Sequence, residues 1–198
     1  MKKIENSLNN LVLLHQKYQL NGGFQKNHEI EKNWPKELPL SPELIFLYEN
    51  FEPIGVKIET GIIPIIIFSA SDLKGKQIGY KWQNEAGNLK YIRSWPAEFL
   101  VIAENVGGGN PIIAATESNG TSVYASIDAS PAIRIANNLA DFIDALAILI
   151  DIVYGEFEIF EVGDDDGLYE DFIEKLQQRI EPLLGKENYR NFFDYFYG

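Results

Sequence analysis

The 198-residue chain contains no cysteine. This excludes disulfides, thiolate metal sites and cysteine nucleophiles, and it suits a reducing compartment. Without cysteine no Cys-His pair can be built, the two histidines, His15 and His28, are too far apart in the chain for an H-E-x-x-H zinc motif, and no serine sits in a G-x-S-x-G elbow. The longest apolar run, residues 145–150, is too short to span a bilayer. Residues 4–20 are interrupted by Glu5, several asparagines, His15, Gln16 and Lys17, so they do not read as a signal peptide. A cytoplasmic location is the expectation, with no membrane partner.

Basic residues are scarce where acidic ones are abundant. Residues 94–174 hold one Lys/Arg (Arg134) against 16 Asp/Glu, a balance of −15, whereas residues 1–93 balance at +2 and residues 175–198 at +1. The whole net charge of −12 is therefore placed in the middle-to-late chain. Such a surface repels phosphate backbones, which argues against direct nucleic-acid binding. It attracts a basic protein and speeds encounter with it. Solubility alone is the plainer purpose of an acidic surface.

Hydrophobic residues make up 45% and aromatics 13%, enough for a packed core in one domain. Residues 95–127 are its centre. Phe99 to Ala103 is a continuous apolar run, followed by the turn-rich Gly107, Gly108, Gly109, Asn110 and Pro111, and then by a second apolar run at 112–116. Asn119-Gly120 separates that run from 121–127, and Asn-Gly suits a type I′ hairpin turn, so three antiparallel strands are predicted. Around them, helical spacing predicts an amphipathic helix over 3–20, ended by Asn21-Gly22-Gly23 and followed by a polar connector over 24–37. Ser41-Pro42-Glu43 is a helix start. Strands are predicted at 56–60, 65–68 and 89–93, and a short helix at about 71–82. The wide apolar stripe of Leu139, Phe142, Ile143, Leu146, Leu149, Ile150 and Val153 marks a sheet-packing helix ended by Gly155. Beyond it, residues 156–162 alternate acids with apolar residues and read as an edge strand. A helix closed by Pro182 and Gly185 follows, and then a short terminal helix with Tyr189, Phe192, Phe193 and Phe196 on one face. That face either docks on the domain or meets a partner.

Little chemistry survives inspection. Gly107 to Gly109 completes neither a P-loop nor a G-x-G-x-x-G fingerprint, and Pro111 leads into a strand, so a tight turn bordering a shallow cleft is the reading. A calcium loop beginning at Asp164 would need Glu at its twelfth position, which is Lys175. The cluster Asp164, Asp165 and Asp166 instead reads as acid ahead of a helix N-terminus. Residues 135–174 hold 12 Asp/Glu and no Lys/Arg, more than capping needs. Lys81, Trp82, Lys90, Tyr91, Arg93 and Trp95 interleave bases with aromatics, but the acidic neighbourhood favours core packing over a nucleic-acid platform.

The pattern resembles the SUKH superfamily, which takes in bacterial immunity proteins and the fungal cell-wall glucan-synthesis regulator. The matching pieces are Leu38-Pro39 before the helix at 41–48, Phe99 to Ala103 leading into Gly107-Gly108-Gly109 and Pro111-Ile112, a later strand, and the helix over 135–146 with Ala136 and Phe142-Ile143. The expectation is a single α+β domain over 1–198, with a mainly antiparallel sheet packed by helices and added N- and C-terminal helices. Its core covers about 38–155, and a helical appendage covers 156–198. The resemblance implies a non-catalytic module that neutralises a toxin, often a nuclease; from the residues, no cofactor or metal is expected. Its other implication is a regulator-like scaffold. A small-molecule binder or enzyme with a pocket between sheet and helices is the rival from another class. The candidate partner-binding residues for a basic toxin domain are Glu156, Glu158, Glu161, Asp164, Asp165 and Asp166, with Gly107, Gly108, Gly109 and Asn110 as a cleft.

Overall fold

A computed structural model describes residues 1–107, 109–117, 120–159 and 161–198. The architecture is α+β. Seven antiparallel strands form one sheet whose spatial order follows the chain: β1 (Asn21–Gln25), β2 (Glu52–Ile58), β3 (Ile65–Ile67), β6 (Phe99–Asn105), β7 (Pro111–Glu117), β8 (Gly120–Ala125) and β9 (Ile133–Ala136). Between β3 and β6 the chain inserts α4 (Ala70–Lys76) and a separate hairpin, β4 (Trp82–Glu85) with β5 (Asn88–Tyr91). One face of the sheet is covered by α1 (Lys2–Lys17), α3 (Pro42–Asn50) and α5 (Leu139–Gly155). Asn138 starts α5 by accepting the Asp141 N–H, and Ser41 starts α3 by accepting the Leu44 N–H, each satisfying a donor that the helix itself leaves free.

Alternation along β8 sends Thr121, Val123 and Ala125 into this layer and Ser122 and Tyr124 to the other face. There Tyr124 meets Phe99, Phe99 meets Trp95, and Trp95 meets Tyr80, with ring centroids 5.3, 5.8 and 5.7 Å apart. The insert is fastened by Gln77, which is fully buried. Strand β3 stops at Ile67, so the Val101 backbone on that side of β6 has no strand neighbour. The Gln77 amide replaces one: Oε1 accepts the Val101 N–H at 3.0 Å, and Nε2 donates to the Val101 carbonyl at 2.9 Å. Buried backbone groups require such partners.

The last two helices, α6 (Glu170–Leu184) and α7 (Lys186–Tyr197), follow the two-residue pair β10 (Gly163–Asp164) and β11 (Gly167–Leu168). Phe172, Leu176, Ile180, Phe192 and Phe196 belong to the same buried apolar cluster as Ile4 and Leu146. The aromatic face of α7 is thus docked against β9 and α6 rather than presented to solvent.

The structure departs from several expectations. Residues 21–23, expected to end a helix, and residues 24–25, expected to begin the connector, form edge strand β1. The bend is taken by Gln19 at φ 53°, and a Cβ on Gly22 would lie 2.3 Å from the Gly55 carbonyl carbon, so the strand joins the sheet through a glycine–glycine contact. The expected connector over 24–37 contains the short helix α2 (Ile30–Asn33). Helix α4 stops at Lys76, six residues early, because Gln77 turns inward and the chain reverses into β4. Residues 156–159 and 161–162 form no strand. Phe157 packs edge-on against Phe172 and Val162 is buried, so both apolar groups anchor a loop; Phe160 lies outside the described residues. Asp164 to Asp166 do not cap α6, which begins at Glu170 after Tyr169; they form the β10–β11 turn, where Asp164 Oδ1 accepts the Asp166 N–H. Pro182 lies inside α6, and Gly185 alone ends it. The register Glu117↔Gly120 puts Gly120 within β8; Asn119 of the expected hairpin turn, and Ser118, lie outside the described residues.

Candidate functional site

The acidic segment starts where α5 ends. Two upstream carboxylates are neutralised internally: Asp141 by Lys3, and Asp151 by Lys17 and Arg179. The Arg179 guanidinium beside Asp151, with help from the Tyr18 hydroxyl and Lys17, holds its carboxyl below the usual range. Of the six acidic candidates, Glu156 belongs to this internal set, bridging to Lys175 and Arg179 on α6. The other five behave differently. Glu158, Glu161, Asp164, Asp165 and Asp166 are exposed, and among the described residues none makes an ion pair.

The turn that carries them is held firmly. Val162 is buried against Gly61 in the β2–β3 turn, where a Cβ on the glycine would approach the valine methyls to 2.7 Å. A Cβ on Gly163 would lie 2.5 Å from the Gly167 carbonyl oxygen, so the two-residue pairing requires glycine. Tyr169 N–H donates to the Val162 carbonyl. The acids therefore stand on a fixed support beside a shallow groove lined by Ile62, Val162, Leu168 and Tyr197.

The glycine turn leads to a second feature. Gly109 and Asn110 border a cleft of about 420 Å³ on the sheet face opposite the helices, closed by Tyr80, Ser94 and Trp95 of the insert and by Ser126 to Ala132 before β9. Gly107 and Gly109 take φ of +94° and +65°, which the reversal between β6 and β7 requires; Gly108 lies outside the described residues. Asn110 is occupied structurally. Its N–H donates to Asn105 Oδ1, its carbonyl accepts the Tyr195 hydroxyl at 2.8 Å, and its own Oδ1 accepts the Asp128 N–H at 3.0 Å. That last bond steadies Asp128 and Ala129, two consecutive non-glycine residues at φ of +48° and +58°, a costly conformation concentrated on the cleft wall. Tyr80 donates to the Gly109 carbonyl. Burial, then the Glu104 charge, raises the Tyr80 phenol, and burial first of all raises that of Tyr195, so both remain donors.

The acidic turn and the cleft are separate surfaces flanking the last turn of α7. Tyr195 reaches the Asn110 carbonyl, while Tyr197, two residues on, donates to the Thr60 carbonyl and lines the acidic groove. Among the described residues, a void of about 20 Å³ between the sheet and α1, α3 and α5 is lined by apolar side chains alone, with room for about one water. Among the described residues no group of three His, Asp or Glu is placed to hold a metal ion, and no helix is long and apolar enough to cross a membrane. Two features have no signal in the sequence: the bridging role of Gln77 and the burial of Glu52, whose partners are remote in the chain. No family model matches the chain, and neither a curated protein nor a solved structure matches it.

Proposed function

We propose that the chain is a non-catalytic protein-binding module, an immunity protein of the SUKH kind whose acidic surface caps a basic toxin domain, a nuclease being the class it fits best. One observation carries the reading. The eight carboxylates between residues 158 and 174 are all exposed, and among the described residues no ion pair involves any of them. Eight like charges on one segment repel one another and oppose compaction. The fold uses few of them: Asp164 accepts one backbone bond in its turn, and Asp171 accepts the Phe172 N–H. A nuclease presents Lys and Arg to phosphate, and a rigidly supported run of carboxylates competes for that surface. The rival reading gains no support beneath α1, α3 and α5, where, among the described residues, the void against the sheet is about 20 Å³ and apolar.

The test is binding and neutralisation with a charge-reversed variant. Lysate and secretome of the producing cells are passed over the immobilised protein at low salt and eluted with a salt gradient. The variant E158K/E161K/D164K/D165K/D166K takes the net charge from −12 to −2, two units for each of five reversals. A basic protein held by the parent, released by salt, absent from the variant and inhibited only by the parent is the expected result. Equal retention and equal inhibition by the two proteins would sink the proposal.

A further inference from the structure

Glu52 opens β2, yet its side chain is buried, with 4% of the residue exposed. Both carboxylate oxygens are engaged by neutral donors: Oε2 accepts Asn27 Nδ2 at 2.7 Å, and Oε1 accepts the Ala70 N–H at 3.1 Å. No cation accompanies it; among the described residues Glu52 makes no ion pair. A buried carboxylate without a counter-charge is costly, and a glutamine would satisfy the same two donors without that cost. Beside it the Tyr48 hydroxyl is fully buried with no hydrogen-bond partner, and its phenol is raised by burial, then by the charges of Glu52 and Asp72.

This carboxylate borders a cavity. A pocket of about 180 Å³ is lined by Glu52, Asn27, Asn33, Trp34, Pro35 and Ser71. Its chemistry is one buried negative charge, two side-chain amides, one hydroxyl and an indole. The Trp34 ring is held by its Nε1–H on the Leu38 carbonyl and by its packing on Tyr48, with centroids 5.6 Å apart. Each Glu52 oxygen retains a lone pair, since each accepts a single bond. A planar cation completes such a site: a guanidinium pairs with carboxylate and stacks on indole, and it tolerates desolvation better than an ammonium. The volume is below that of a drug-sized ligand site, which starts at about 300 Å³, and matches a single side-chain head.

We propose that this pocket is a binding site for an organic cation, a guanidinium on a short stem. The inference stands apart from the acidic surface and does not need it. The cation comes either from an arginine of a protein partner or from a free guanidino compound.

The test is titration of the full chain with N-acetyl-arginine amide, followed by the NMR shifts of the Trp34 indole N–H and the Asn27 side-chain amide. Saturable binding at about 1 mM or tighter is expected. The neutral ureido analogue N-acetyl-citrulline amide should bind at least tenfold more weakly, and Glu52→Gln should reduce arginine-probe binding at least tenfold. If that variant melts far below the parent, Ser71→Leu, which covers the pocket from an exposed helix position, takes its place and should block binding equally. Agmatine binding in the micromolar range would identify a free small molecule. Millimolar binding that tightens at least tenfold when the arginine is flanked by peptide would identify a partner's side chain. No saturable shift at about 20 mM probe, equal binding of the citrulline analogue, or unchanged binding in a folded Glu52→Gln or Ser71→Leu variant would overturn the inference.

Discussion

Replacing Gln77 with methionine keeps the volume of the side chain and removes its three hydrogen bonds. The Val101 N–H and carbonyl are buried in β6, and Gln77 supplies their partners at 3.0 and 2.9 Å; a third bond, at 2.9 Å, reaches the Leu73 carbonyl. Leaving a buried backbone group unsatisfied costs about 1–3 kcal/mol, so the two Val101 groups together cost about 3 kcal/mol, allowing for partial relaxation. For a chain of this size each kcal/mol shifts the melting temperature by about 2–4 °C, which gives a fall of roughly 6–12 °C. Urea unfolding followed by far-UV circular dichroism measures the free energy, and amide exchange at Val101 locates it. Gln77→Glu discriminates further. It keeps an acceptor for the N–H but turns a buried carboxylate oxygen toward the Val101 carbonyl. Its deficit is therefore largest at neutral pH and shrinks as falling pH protonates the new carboxyl and restores a donor. A Gln77→Met protein within about 1 kcal/mol of the parent, with unchanged exchange at Val101, would refute the claim that this amide stands in for a strand.

Two further substitutions test the fold at other points. Gly22→Ala should cost about 3 kcal/mol, from a left-handed φ of 81° and a Cβ 2.3 Å from the Gly55 backbone, whereas Gly23→Ala, with nothing within 4 Å, should be nearly silent; chemical denaturation of the pair compares them directly. Asp144 has its carboxyl raised, first by burial and then by Asp141, against opposing help from Ser7 and Lys3. Its folded form therefore favours the proton, and the stability this confers is complete below the ordinary aspartate value and is lost as pH rises through the raised one. Asp144→Asn should consequently melt higher than the parent at pH 7, with the advantage vanishing below about pH 4; a gain independent of pH would contradict this.

The parts of the fold legible in the sequence are those where local chemistry and tertiary demand agree. Ser41-Pro42-Glu43 combines a cap, a permitted proline and a favourable acid, and α3 begins there. The apolar runs at 99–103 and 112–116 are buried on both sheet faces, and they appear as β6 and β7. Strand β1 was illegible because Asn-Gly-Gly-Phe-Gln has no β-branched residue and owes its place to the contact between Gly22 and Gly55, more than thirty positions away. The alternation at 156–162 misled for the converse reason: Phe157 and Val162 are apolar because they plug separate holes, at Phe172 and Gly61, and neither belongs to a paired strand. The candidate site divides along the same line. Local charge density is a one-dimensional property, so the exposed acids were visible. The pocket around Glu52 gathers residues 27, 34, 52 and 71 from separate parts of the chain, and in the sequence Glu52 was only the acid before a proline.

The two negative features act over different ranges, which makes them separable. The acids of 158–174 are exposed, and charges in water interact over a screening length of about 10 Å at 0.1 M salt. Their contribution belongs to the encounter rate and falls as salt rises. Glu52 is enclosed, so a cation bound there is poorly screened; its contribution belongs to dissociation and persists in salt. A basic partner using both surfaces would associate more slowly at high salt while its dissociation rate stayed nearly constant. Reversing the exposed acids would then remove the salt dependence of association, and Glu52→Gln would speed dissociation at every salt concentration. A partner using the acidic turn alone would be insensitive to Glu52→Gln, and a free guanidino ligand would compete with the partner only in the first case. The association and dissociation arms of one salt series therefore assign each carboxylate its role even where the partner's structure is unsolved.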